Sequence, residues 1–209
     1  MSYDVIMWDV DGTIIDSEHL YNDAIRYAST QCGAPIDHIS DDDLCGLHMQ
    51  AVWALVQESH DISCNDISCN YETWLTLLED FYIANQMKLR PIDDSAELIR
   101  FFHAQGIEQV CVSNSSRKII DINLAYLGLG AEFKFIVSVD DVEQGKPDPE
   151  PYLRALSQFE GKKVIAVEDS MTGLRAAQAA NIPVVKYQQA TEDVPCVIQH
   201  LDELKGLVL

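Results

Sequence analysis

Four short β-rich apolar runs recur in the second half of the chain, Gln109–Ser113, Phe135–Ser138, Val164–Val167 and Val184–Tyr187. They lie about 20–30 residues apart, the distance a strand–helix–parallel strand unit requires. A fifth run, Val5–Trp8, opens the chain. Helical patterns fill the gaps. Arg117–Leu127 places Ile120, Leu124 and Leu127 on one face and stops at Gly128, Pro149–Phe159 opens at a proline, and Met171–Ala180 follows Ser170 as an N-cap. The alternation predicts an α/β fold, a Rossmann-like doubly wound parallel sheet with helices on both faces.

The interval between the first two runs is too long for one crossover and contains no convincing strand. Leu20, Ala24, Tyr27 and Ala28 share a helical face, as do Met49, Val52, Trp53 and Val56, and again Tyr71, Trp74, Leu75, Leu78 and Tyr82. These helices predict a small α-helical domain at residues 16–90, inserted into a core built from residues 1–15 and 91–209. The aromatic stripe around Trp74 reads as the core of that insert. Residues 61–65 read DISCN and residues 66–70 repeat it; one copied pentapeptide is too short for a repeat architecture and reads as a tolerated loop duplication.

Fourteen Lys and Arg stand against 34 Asp and Glu, a net charge of −20. That balance weighs against a nucleic-acid groove or an anionic membrane surface as partner, since both are polyanions. A small anionic substrate stays open to such a chain if a local cation is supplied. No apolar run approaches the roughly 18 residues of a membrane span, and the opening MSYDVIMWDVDGT lacks the basic, long-apolar pattern of a signal peptide. The six dispersed cysteines then read as reduced thiols of a cytoplasmic protein. No obligate protein partner is evident.

Polar clusters follow the apolar runs. The first run ends in Asp9-Val10-Asp11-Gly12-Thr13, at the sheet edge where open parallel sheets bind ligands. Spaced i and i+2, Asp9 and Asp11 point to the same side if the backbone stays extended, and crowded carboxylates need a shared cation or a proton. Such a pair separates into a ligand-nucleophile and a proton donor. Ser113-Asn114-Ser115-Ser116 combines small polar side chains with the free N–H groups of a helix start, an anion site. Lys146 lies in the proline-stiffened turn Gly145-Lys146-Pro147-Asp148-Pro149, and Glu168-Asp169 supplies hard oxygen donors suited to Mg²⁺. Carboxylates for a cation, then cation, lysine and N–H groups for a phosphoryl group, make one consistent charge scheme.

With these residues in place, the sequence resembles the haloacid dehalogenase superfamily, in its phosphatase and phosphoglucomutase branch with a helical cap. The likeness covers nearly the whole chain through DVDGT at Asp9–Thr13, Ser113-Asn114, Lys146 in GKPDP and EDSMTGLRAA from Glu168. The resemblance implies a Mg²⁺-dependent phosphomonoesterase acting on a small phosphorylated metabolite, such as a sugar phosphate, through an aspartyl-phosphate. It makes Asp9 the nucleophile and Asp11 the acid and base. Mg²⁺ would be held by Asp9, the Asp11 carbonyl and Asp169, with Glu168 direct or through water. Ser113 and the Asn114 backbone would bind phosphate oxygens, while Lys146 neutralises charge between nucleophile and phosphate. A sugar-phosphate mutase is the alternative, and a non-catalytic phosphometabolite sensor the third reading. Similar mutases carry an arginine shortly after the glycine equivalent to Gly46, where this chain has Leu47-His48-Met49, and many have valine at the position of Thr13; both departures favour the phosphatase. Substrate contacts from the cap are expected at Glu18, His19, Asn22 and His48, and the linkers near Asp16 and Met87–Pro91 are expected to act as hinges.

Overall fold

Every residue of β1 (Val5–Trp8) is apolar and buried, which only a strand covered on both faces can achieve. The computed structural model describes residues 2–44, 47–59, 69–188 and 196–209, and it puts this strand at the centre of a sheet. The chain continues through β2 (Ile15–Asp16), α1 (Glu18–Gln31), α2 (Asp41–Leu44), α3 (Met49–Ser59), α4 (Tyr71–Ala84) and β3 (Arg90–Pro91). Next come α5 (Ser95–Ala104), β4 (Glu108–Val112), α6 (Arg117–Leu127), β5 (Phe135–Val137) and α7 (Glu150–Leu156). The chain closes with β6 (Val164–Glu168), α8 (Met171–Ala179), β7 (Val184–Tyr187), β8 (Val197–Ile198) and α9 (Leu204–Val208).

Two compact units result, Met1–Asp16 with Arg90–Leu209, and Ser17–Leu89. The first holds a six-stranded parallel sheet in the order β5-β4-β1-β6-β7-β8. This is the α/β doubly wound architecture. From β1 the chain steps out to β4 and β5, then returns to β6 on the other side of β1, so the topology reverses at the central strand. Ligand crevices of open sheets form at the carboxyl ends of strands flanking that reversal.

Alternating side chains of β1 serve two cores. Val5 and Met7 join Val110, Val112, Tyr152, Phe159 and Leu174. Trp8, on the other face, lies 6.5 Å from the Phe102 ring of α5. Its indole N–H donates to Gln109 Oε1 at 2.9 Å, and Gln109 Nε2 donates to the Ile99 carbonyl at 2.9 Å. A buried amide between indole and helix is thereby satisfied at both ends.

Several elements differ from the sequence expectation. β4 includes Glu108 and stops before Ser113, β6 extends through Glu168, and α7 ends at Leu156 rather than Phe159. The two-residue strands β2, β3 and β8 are too short to leave a period in sequence. β2 and β3 pair antiparallel, Ile15 with Pro91 and Asp16 with Arg90, so the chain leaves and re-enters the sheet unit along one ribbon.

In the Ser17–Leu89 unit, α1 packs against α4. Trp74 is fully buried, its ring 5.4 Å from Trp53 and its N–H donating to Ser29 Oγ at 3.0 Å. Cys32, at the end of α1, is disulfide-bonded to Cys69, just before α4, with Cα atoms 5.4 Å apart. That corrects the expectation of six reduced thiols, which had no means of seeing two residues 37 apart in sequence meet in space. Cys111 and Cys196 are free thiols. Closing a loop of that length stabilises by about 3–4 kcal/mol in the chain-entropy account. Dithiothreitol is therefore expected to lower the melting temperature of the wild type and to leave Cys69→Ser unmoved; equal shifts in both proteins would deny the bond a stabilising role. Most of the DISCN duplication, including Cys64, lies outside the described residues, as do Cys45 and Gly46. No helix among the described residues is long and apolar enough to cross a membrane.

Candidate active site

The site begins where β1 stops. Beyond Trp8 the Asp9 N–H still donates to the Val167 carbonyl of β6 at 3.0 Å, but from Val10 onward the chain folds into a turn, with Ile14 N–H returning to the Val10 carbonyl at 2.9 Å. Gly12 sits in that turn at φ +82°. A Cβ there would lie 2.2 Å from Asp169 Oδ2, so the turn and the β6 loop approach closely only because the side chain is absent. Gly12→Ala is expected to displace the Asp169 carboxylate and to destabilise the unit by about 1–2 kcal/mol from the left-handed backbone alone. A Mg²⁺ titration of the variant should show weakened affinity; wild-type affinity would mean Asp169 does not depend on that gap.

Lys146 lies at the centre of the site. It is 3% exposed, and its ammonium donates to Asp9 Oδ1 at 2.7 Å, Glu168 Oε1 at 2.6 Å and the Val112 carbonyl at 2.6 Å. All three N–H groups are used. The ring of Tyr152 lies 5.3 Å beneath, and its hydroxyl donates to Glu168 Oε1. Burial opposes the charge on Lys146, yet Asp9 and Glu168 outweigh it and hold the ammonium's pKa above its ordinary value. The backbone of Lys146 is clamped by the Asn114 side chain, which accepts from its N–H at 2.7 Å and donates to its carbonyl at 3.0 Å.

Three carboxylates converge, with oxygens of Asp9, Glu168 and Asp169 within 4.8 Å of one another. Thr13 Oγ1 sits 3.2 Å from both Asp9 Oδ2 and Asp169 Oδ1. Burial, together with the neighbouring Asp9, pushes the Glu168 carboxyl up to about 7. Burial and the charges of Asp9 and Glu168 raise that of Asp169 well above the carboxylate range. Glu168 Oε2 is buried without a hydrogen-bond partner. An all-oxygen donor set with more negative charge than Lys146 balances fits a hard divalent cation.

The Asp11 carboxylate has partners of its own. Its carboxylate accepts from Ser115 Oγ at 2.6 Å, Asn123 Nδ2 at 3.1 Å and Ser113 Oγ at 3.4 Å, whereas Asp9 binds Lys146 and Thr13. Period-two alternation no longer applies because β1 has ended. Ser113 Oγ also accepts the Ser115 N–H at 3.0 Å.

Asp9, Asp11, Ser113, Asn114, Lys146, Glu168 and Asp169 thus assemble at one end of the sheet. The remaining expected residues belong to the helical unit. Glu18 starts α1 exposed, His19 Nε2 is 3.1 Å from the Lys88 carbonyl, Asn22 is buried on α1, and His48 Nδ1 accepts the Ala51 N–H at 3.2 Å at the head of α3. Tyr152 and Asn123 are additions to the site, and Ser115 of the predicted polar cluster proves to be a partner of Asp11. No motif marks a tyrosine or asparagine inside a helix.

A family model described as haloacid dehalogenase-like hydrolase matches residues 6–187. The bifunctional riboflavin kinase/FMN phosphatase of Arabidopsis thaliana is 26% identical over 183 residues, 86% of this chain but 47% of that protein, so the chain spans about half its length. The phosphorylated carbohydrates phosphatase of Thermotoga maritima is 26% identical over 181 residues, covering 86% of this chain and 82% of the relative. A crystal structure of a CbbY variant from Rhodobacter sphaeroides in complex with xylulose-(1,5)bisphosphate superposes with a TM-score of 0.87 at 20% identity, covering 99% of this chain and 100% of that one; at that identity the likeness is one of fold.

Proposed function

Because the chain belongs to the haloacid dehalogenase-like hydrolases, we propose that it is a Mg²⁺-dependent phosphomonoesterase of small phosphorylated metabolites, sugar phosphates foremost. The observation that carries this reading is the Asp9 carboxylate, held by Lys146 on one oxygen and Thr13 on the other at the C-terminal end of the central strand. A phosphatase is also among the names of the relatives that align along most of this chain.

Asp9 forms the new bond to phosphorus through one carboxylate oxygen, in line with the departing ester oxygen. Lys146 orients that carboxylate, and its charge faces the incoming phosphoryl oxygens. Asp11 protonates the leaving oxygen and then takes a proton from the water that opens the aspartyl-phosphate. Ser113 and the Asn114 backbone N–H hold phosphoryl oxygens near the start of α6. Asp9, the Asp11 carbonyl and Asp169 are the ligands proposed for Mg²⁺, with Glu168 direct or through water. Once bound, the ion supplies charge and orientation to the phosphoryl group. Glu18, His19, Asn22 and His48 are the proposed sources of selectivity toward the leaving group.

Phosphate release from a panel of phosphomonoesters, run with Mg²⁺ and with EDTA, tests the proposal. Turnover is expected with Mg²⁺, and EDTA is expected to remove at least about 99% of it, the scale of a lost charge clamp. Isomerised sugar phosphate without phosphate release would establish the mutase instead. Silence across the panel, with ligand still bound, would establish a sensor.

A further inference from the structure

Asn123 is a fully buried amide on α6, 112 residues from the aspartate it serves. A buried amide is costly unless its hydrogen bonds are made, and this one donates through Nδ2 to Asp11 Oδ1 at 3.1 Å. Ser115 Oγ lies 2.6 Å from the other oxygen, Asp11 Oδ2, which the Ser113 hydroxyl also approaches at a longer 3.4 Å. The two partners differ in kind. An amide nitrogen only donates, so it favours the unprotonated form of the oxygen it binds; a hydroxyl both donates and accepts. We infer that Asn123 and Ser115 are positioning residues for Asp11, making Oδ2 the oxygen that delivers and receives the proton. This deepens the phosphatase reading and rests on it.

The proton then has one path. As the Asp9–phosphorus bond forms and the ester oxygen–phosphorus bond breaks, the proton on Asp11 Oδ2 passes to the leaving oxygen. In hydrolysis, water oxygen bonds phosphorus, its proton goes to Asp11 Oδ2, and the Asp9–phosphorus bond breaks with its electron pair returning to the carboxylate. Ester and water become alcohol and phosphate, and Asp11 ends as it began. The Ser115 hydroxyl donates to Oδ2 when it is bare and accepts from it when protonated, while Asn123 stays fixed.

The experiment compares Asn123→Leu, Ser115→Ala and Ser115→Thr with wild type, on para-nitrophenyl phosphate and on the best alkyl phosphate of the panel. A nitrophenolate leaves without a proton; an alkoxide does not. For the first two variants kcat/KM on the alkyl phosphate should fall about tenfold or more, the low end of general acid catalysis. On para-nitrophenyl phosphate kcat/KM should stay within about threefold, while kcat falls and acid-quenched covalent phosphate accumulates, because only the hydrolytic half then suffers. Ser115→Thr restores a hydroxyl and should recover most of the alkyl rate. Equal losses of kcat/KM on both substrates, or no loss, overturn the inference. Should Asn123→Leu fail to fold, the Ser115 pair decides alone. A wild type that releases no phosphate from any substrate of the panel overturns the phosphatase reading beneath it, a result distinct from variants that lose rate equally on both substrates.

Discussion

Asp9→Asn is expected to lower phosphate release by about 10⁴-fold or more, because removing the proposed covalent nucleophile takes away the step on which every later one would depend. The fold should survive. An asparagine Oδ1 still accepts from the Lys146 ammonium that now lies 2.7 Å from Asp9 Oδ1, and the amide nitrogen faces a Thr13 hydroxyl able to accept. The substitution also removes one of three carboxylates gathered within 4.8 Å, a neighbour that raises the pKa of both Glu168 and Asp169. The melting temperature should stay near that of wild type, because the lost Asp9–Lys146 ion pair offsets the relieved repulsion, and acid-quenched protein should carry no covalent phosphate. Turnover within tenfold of wild type would strip Asp9 of its role. A collapsed melting temperature would show that the carboxylate holds the fold, leaving its chemistry to be read from the trapped phosphate alone.

The residues this prediction uses were legible in sequence because they are local consequences of strand ends. An apolar run followed by Asp, Ser or Glu-Asp says that the chain leaves a buried sheet and meets water at its carboxyl edge. Lys146 was legible through its proline-flanked turn. What escaped was whatever depends on a partner far along the chain. Tyr152 looks like a core residue of a short helix, and it is one, yet its hydroxyl reaches Glu168. Asn123 occupies a buried position on α6 and shows its purpose only beside Asp11. The two-residue strands also had no pattern long enough to mark them.

Lys146→Met carries the largest expected cost in stability. It leaves Asp9 and the fully buried Glu168 side by side without the ammonium that joins them. Breaking a buried ion pair from one side costs about 3–5 kcal/mol, because the abandoned charge stays out of water. For a chain of this size that is a fall of roughly 10 °C or more in melting temperature. The loss must depend on pH in a defined direction. Burial and Asp9 raise the Glu168 carboxyl from an ordinary 4.5 to about 7 even with Lys146 in place, and removing the cation raises it further. An acid whose folded pKa lies above its unfolded one favours folding when protonated. Its penalty is absent below about 4.5 and grows as pH rises through the window to 7 and beyond. Lys146 adds no slope of its own there, because its raised pKa keeps it charged throughout. Wild type bears the same penalty up to about 7, so the deficit of Lys146→Met relative to wild type should show little pH dependence below about pH 7 and grow as pH rises above it. Adding Glu168→Gln replaces the stranded carboxylate with an amide that still accepts from Tyr152, so the double variant should regain most of the melting temperature. It should not regain activity, which falls about 10²–10³-fold for want of the cation beside Asp9. A deficit indifferent to pH, or a double variant no more stable than the single, would mean that the cost of losing Lys146 comes from packing and not from charge.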